Sequence, residues 1–176
     1  NRPYDQIARR LLTARGEDAG QAATFYTAVG GNPESYTTAF SRAFLGVRLG
    51  CAQCHNHPFA SWKKADFWGM AAFFAGTSNG QPGAPVAQRL EETRKTAITH
   101  DEVEYSAKFL WGADANIPQT KLPRDILADW MVAGNNPNFA ATAVNRVWQL
   151  LCGRGLVAEV DDLDQATAAD REPVLD

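Results

Sequence analysis

Apolar residues recur along this chain mostly at three- and four-residue intervals, and only one stretch switches to strict alternation. Tyr4, Ile7, Ala8, Leu11 and Leu12 share a face and predict a helix over residues 3–15, with Asn1 as a candidate cap, Pro3 in the first turn and Gly16 as the stop. A polar turn follows, then a short helix through Phe25 and Val29. Gly30-Gly31-Asn32-Pro33 breaks the chain, and a helix opening at Pro33 behind an Asn32 cap carries Tyr36, Phe40, Ala43, Phe44 and Val47 as far as Gly50. Phe67, Met70, Ala71 and Phe74 line a third helix over 64–75, closed by Gly76.

Residues 76–85 read as loop, and 91–95 as a charged segment without an assigned element. Val103, Tyr105, Ala107, Phe109 and Trp111 then alternate with Glu102, Glu104, Ser106 and Lys108, the signature of a half-buried strand; residues 95–99 are its expected antiparallel partner. Residues 112–121, with Pro118, read as a linker separating residues 1–111 from 122–176. Beyond it, a helix from Pro123 carries Ile126, Leu127, Trp130 and Met131 up to Gly134. A last helix carries Phe139, Ala143, Val144, Val147, Trp148 and Leu151 up to Gly153. The acidic tail from Asp161 is expected to fray or to lead into further sequence.

Composition narrows the class. In 176 residues, 45% are hydrophobic and 21% charged, which describes a globular chain with a real core. The formal net charge is −3 with no basic stripe, which argues against nucleic-acid binding. No apolar run approaches the ~18 residues of a membrane span. The chain opens Asn1-Arg2-Pro3-Tyr4 without Met, which reads as a piece of a longer protein.

The chemistry concentrates in Cys51-Ala52-Gln53-Cys54-His55, a C-x-x-C-H run. This is the attachment signature of c-type haem. Two thiols two residues apart reach the two vinyl groups on one edge of the macrocycle, and the adjacent imidazole, His55, becomes the proximal iron ligand. The chain holds only three cysteines and three histidines, so a chance match is improbable. Two other readings stay open. One is a zinc knuckle of Cys51, Cys54 and His55 or His57, although no second ligand pair is present. The other is a disulfide or free thiol pair, although the βαβ context of thiol oxidoreductases is missing. Cys152, between Leu151 and Gly153, is expected to be a small buried core residue.

The stretch Phe44-Leu-Gly-Val-Arg-Leu-Gly-Cys-Ala-Gln-Cys-His-Asn-His-Pro-Phe59, with Trp62 and Ala71-Ala72-Phe73-Phe74-Ala75 after it, closely resembles the planctomycete-type cytochrome c domain family. Asn1-Arg2-Pro3-Tyr4-Asp5 and Leu11-Leu12-Thr13-Ala14 fit the same pattern. Leu127-Ala128-Asp129-Trp130, Asn136-Pro137, Asn145-Arg146-Val147-Trp148 and Gly153-Arg154-Gly155-Leu156-Val157 resemble the opening of its companion domain, itself of unassigned function. The resemblance departs from the family at Ala60-Ser61, at Cys152 and over most of 76–99. The 3.6-residue faces and the single alternating stretch predict a mainly α fold, which the resemblance makes a small helical cytochrome c-like haem domain with one short antiparallel β-ribbon, followed by a further helical segment.

The expected cofactor is covalent haem c with its iron, held by Cys51, Cys54 and His55. It is packed between residues 36–49 and 64–75, where Trp62, Phe67, Trp68, Phe73 and Phe74 either wall the macrocycle or fill the core. The leading functional expectation is electron transfer to an unidentified redox partner, in concert with flanking domains of a parent protein. A non-catalytic, haem-stabilised assembly module and a haem enzyme with an open iron site are the alternatives, so enzyme status stays open. Covalent haem attachment takes place outside the cytoplasmic membrane, so a periplasmic or cell-surface location is expected. His57 lies within ~7 Å of chain from His55 and cannot cross to the other face of the same haem. His100, just before the alternating strand and in an Ile98-Thr99-His100 phrase like one of the family's, is the candidate distal ligand, ahead of Met70, Met131 or an open site. Arg146 and Arg48 are the candidate propionate partners, against ordinary inter-element roles.

Overall fold

The computed structural model describes residues 2–16, 19–79, 90–112 and 114–163, and the statements below concern those residues. It is about half helical, with six α-helices and two small antiparallel ribbons, as the sequence pattern predicts for a mainly α chain. The helices are α1 (Tyr4–Thr13), α2 (Gln21–Ala28), α3 (Pro33–Phe40), α4 (Lys64–Ala71), α5 (Pro123–Met131) and α6 (Pro137–Cys152). The ribbons pair β1 (Thr77–Asn79) with β2 (Leu90–Glu92), and β3 (Ala97–His100) with β4 (Val103–Ser106). No helix among the described residues is long and apolar enough to cross a membrane.

The core is aromatic. Tyr26, Tyr36, Phe40, Phe67, Phe73 and Phe74 are fully buried, and rings from α2, α3 and the 3-10 turn after α4 (Ala72–Phe74) meet edge-on and stacked. Each such ring removes on the order of 150–250 Å² of surface from water, which is why the short helices α2 and α3 persist although neither would be stable alone. Asn32 caps α3 through its side-chain oxygen, which accepts from the Ser35 amide at 2.8 Å, with Pro33 in the first turn.

Leu127, Ala128, Met131 and Phe139 join that core, so helices on both sides of residues 112–121 contribute to it. Arg9 pairs with Asp129, and Arg15 with Asp125, along the line where α1 meets α5. Arg124, wholly buried at the start of α5, pairs with Glu92 of β2 at 2.9 Å. It donates to the Leu12 carbonyl at 3.0 Å and to the Tyr26 hydroxyl at 3.1 Å. Burial pushes the Tyr26 phenol up to about 12, while the Arg124 charge pulls against that rise.

Five expectations are corrected. The helix from Pro33 does not reach Gly50. It loosens into a π-turn over Ser41–Leu45 and stops at Gly46, whose φ of +59° only glycine adopts at low cost. A Cβ at Gly46 would sit 2.8 Å from Thr142 Oγ1 and from Leu163, so the stop also lets α6 and the tail approach. A second ribbon, β1–β2, occupies ground read as loop and unassigned charge, with Thr77 opposite Glu92. The alternating strand ends at Ser106; Trp111 lies beyond it, half-exposed at a φ of +62°. The tail is held at its start: Leu163 donates to the Gly46 carbonyl at 2.7 Å, and Asp161 pairs with Arg42 and Arg48, while the remainder of the tail lies outside the described residues. Finally, Cys152 is exposed at the end of α6, where Leu150 and Leu151 also face outward, and is not a core filler.

Candidate haem site

Because α3 stops at Gly46, the C-x-x-C-H run sits on an element of its own. Leu49 and Ala52 are fully buried and anchor a 3-10 turn over Gly50–Gln53, closed by the Ala52 amide donating to the Leu49 carbonyl at 2.8 Å. A second tether comes from α4, where the buried Trp68 indole N–H donates to the Gln53 carbonyl at 3.0 Å. With Leu49 and Ala52 pinned inward, Cys51, Cys54 and His55 are turned out to solvent.

Neither thiol is in a disulfide. The His55 Nδ1 lies 2.7 Å from the Asn56 carbonyl. A carbonyl can only accept, so that contact places the ring proton on Nδ1 and leaves the Nε2 lone pair available for a metal. Beyond the motif, the His57 amide donates to the Trp62 carbonyl at 2.8 Å, and His57 Nδ1 accepts from the Phe59 and Ala60 amides at 3.2 and 2.9 Å. His57 therefore closes the loop after the motif and has a structural occupation. Asn56 Oδ1 accepts from the Lys64 amide at 3.1 Å, docking the loop on the start of α4.

Lys64 links the motif to the tip of the β3–β4 ribbon. Its ammonium lies near Cys54 and pairs with Asp101 at 2.5 Å; the hydrogen bond to Asp101 is the main cause that raises its pKa. The same carboxylate stands 3.3 Å from His100 Nε2. The His100 ring stacks on Trp68, centroids 3.8 Å apart. One indole thus touches both the motif turn, through its N–H, and the candidate distal histidine, through its face. Asp101 and Glu102 form the ribbon's tip with φ of +49° and +63°, left-handed positions that Asn and Gly usually fill. Both methionines are buried to completion in the core.

The aromatic stretch after the motif divides. Phe73 stacks on Phe109, and Phe74 on Phe40, so these rings already have protein partners. Trp62 meets Trp111, and only Trp62 and Trp68 border the motif loop through hydrogen bonds. Among the described residues, no group of three or more His, Cys, Asp or Glu side chains is arranged to hold a metal ion directly. The donor set fits haem c: two outward thiols at the required spacing, followed by an imidazole with a free Nε2.

Two family models match the chain. Residues 1–79 match PSCyt2, described as a protein of unknown function (DUF1549), a name that denotes a planctomycete cytochrome domain. Residues 123–176 match PSD1, described as a protein of unknown function (DUF1553). The motif turn, α4 and their tethers all lie inside the PSCyt2 match; Asn145 and Arg146 of α6 lie inside the PSD1 match. No curated protein matches the chain, and no solved structure does.

The motif is legible in the sequence, but its tethers are not. Trp68 was visible only as an aromatic among aromatics, since nothing local announces that an indole N–H will reach a carbonyl fifteen residues earlier. Asn145 carried a signal in its neighbours. It grips the following turn by donating to the Val157 carbonyl and accepting from the Val157 amide, each at 3.0 Å.

Proposed function

We propose that this chain carries a covalently attached haem c and works as an electron-transfer module of an exported protein, passing electrons to a partner that docks near the motif. The observation that carries this reading is the anchored turn. It presents two free thiols and an imidazole with an available Nε2 on one exposed surface. Bound haem would supply a one-electron iron couple. Cys51 and Cys54 would each add across a vinyl group: the sulfur bonds one carbon, the thiol hydrogen ends on the other, and no external oxidant is consumed. His55 would hold the iron from the proximal side. His100 is the candidate for the sixth position, supported by the indole it shares with the motif turn and by the burial of both methionines.

The residues argue for transfer over substrate chemistry. The chain has no nucleophile elbow, no H-E-x-x-H and no phosphate-cradling loop. The exposed motif surface suits exchange with another protein more than enclosure of a substrate.

The test is a pyridine haemochrome spectrum together with an intact denatured mass, on protein made in a host that matures c-type haem in its periplasm. The expected result is a haem c spectrum and a mass raised by one haem. One equivalent of zinc without a Soret band in matured protein would remove the proposal.

A further inference from the structure

A cavity of about 880 Å³ opens between the outer side of α3 and the middle of α6. Gln53, the residue inside the C-x-x-C spacing, forms part of its wall, so the cavity adjoins the motif turn. Its charged lining is Glu34, Arg42, Arg146 and Asp161. Arg42 is neutralised by Asp161, to which it donates through both Nε and NH2. Arg48, the other candidate propionate partner, is also engaged: it reaches Asp161 at 2.6 Å and Glu159 at 2.7 Å.

Arg146 is different. Among the described residues it pairs with no carboxylate, and its one side-chain hydrogen bond runs from NH2 to the Arg42 carbonyl at 2.8 Å. Its Nε is buried without a hydrogen-bond partner. The acceptor that matches a two-pronged donor is a carboxylate.

We infer that the cavity receives a carboxylate of the haem, a propionate, and that Arg146 is the residue that holds it. This rests on the haem reading above and deepens it, choosing Arg146 over Arg48. Arg146 is a positioning residue here: it fixes the macrocycle's edge and adds a positive charge beside it. The other charged groups that line the cavity are Glu34 from α3, Asp161 from the tail and Arg42 from the π-turn. The Tyr4 phenol is raised by burial and lowered by the Arg146 charge, which locates Arg146 within electrostatic reach of α1 as well.

The experiment is a redox titration of the haem-loaded protein from pH 5 to 9, comparing wild type with Arg146→Gln, Arg146→Lys and Arg48→Gln. A nearby cation disfavours the oxidised, more positive centre and favours the ionised propionate. Arg146→Gln should therefore lower the midpoint potential and move the propionate-linked inflection up by about one pH unit or more. Arg146→Lys keeps the charge but loses the fork, so its inflection should move only part of the way. Arg48→Gln, which leaves Asp161 paired with Arg42, should move both far less than Arg146→Gln does. Should Arg146→Gln fail to fold, an unmoved inflection in folded Arg146→Lys still overturns the assignment, as does an equal effect of Arg48→Gln. Excess sodium acetate added to wild-type holoprotein separates the two sources of carboxylate. No change is expected if a propionate fills the cavity, whereas an acetate-dependent midpoint would assign it to a free carboxylate and overturn the inference. Absence of covalent haem from every variant, wild type included, would remove the underlying reading instead.

Discussion

The chain presents free thiols at two places, and both are open to solvent: Cys51 and Cys54 on the motif turn, Cys152 at the end of α6. Exposure alone therefore does not separate a reactive site from an incidental one. What differs is the support. The motif turn is pinned from beneath by Leu49 and Ala52, tethered by Trp68, and followed by an imidazole and a loop locked by His57. Cys152 sits on the last residue of a helix, between two exposed leucines and Gly153, whose φ of +81° ends the helix. A covalent site needs its groups held in a fixed relation, and only the first place supplies that.

The sharpest way to break the comparison is to remove the thiols. Cys51→Ala with Cys54→Ala should abolish covalent haem altogether, leaving none or leaving haem that acidified organic solvent extracts. Cys152→Ala in the same maturing host should leave the haem-bearing mass unchanged. Covalent haem surviving in the double variant would end the distinction at once.

His100 offers the next largest effect. In the haem-loaded protein, His100→Ala should convert a low-spin bis-histidine spectrum to a high-spin one, because both methionines are buried away from the surface and no other histidine is free to replace it. A low-spin spectrum that stays unchanged excludes His100 as the ligand. The variant also removes the ring stacked on Trp68, so the spectrum, and not stability, is the measurement that decides.

Much of this arrangement was legible in the sequence, and the limits have physical causes. Helix positions followed from periodicity, and the Asn32 cap with Pro33 marked the start of α3 to the residue. The motif was legible because its spacing is fixed by the shape of one ligand. The stop at Gly46 was not, because the apolar period continues through Phe44 and Val47 while the backbone is turned by a packing demand from Thr142 and Leu163, about a hundred residues later. Arg124 likewise looks like an ordinary first-turn residue of α5, and only the fold brings Glu92, Leu12 and Tyr26 around it. The exposed apolar side chains near the end of α6 defeated the rule that apolar means inside; that rule runs in one direction only.

A smaller effect tests the tether. Trp68→Phe keeps an aromatic ring under His100 but removes the N–H that meets the Gln53 carbonyl. The loss should cost about 1–3 kcal/mol in a denaturant titration, since a partly buried carbonyl is left without its donor. Covalent haem should still form, at lower yield, because the cysteines remain. An unchanged midpoint in denaturant would mean that the turn does not depend on Trp68 and that the buried Leu49 and Ala52 suffice to hold it.

The smallest effect belongs to Cys152, and it is informative because it is small. Had Cys152 filled the core, as the flanking Leu150-Leu151 suggested, Cys152→Ser would bury an extra hydroxyl and cost roughly 1–3 kcal/mol. In the structure the side chain faces solvent, where a substitution of this size usually changes stability by no more than about 0.5 kcal/mol. The same exposure predicts that Cys152 reacts promptly with a thiol reagent in the native haem-loaded protein, in which Cys51 and Cys54 are consumed as thioethers. One thiol per chain should therefore be labelled before denaturation, and none further after it. Labelling that waits for denaturant, joined to a large loss of stability in Cys152→Ser, would return this residue to the core and undo the contrast between the two sites.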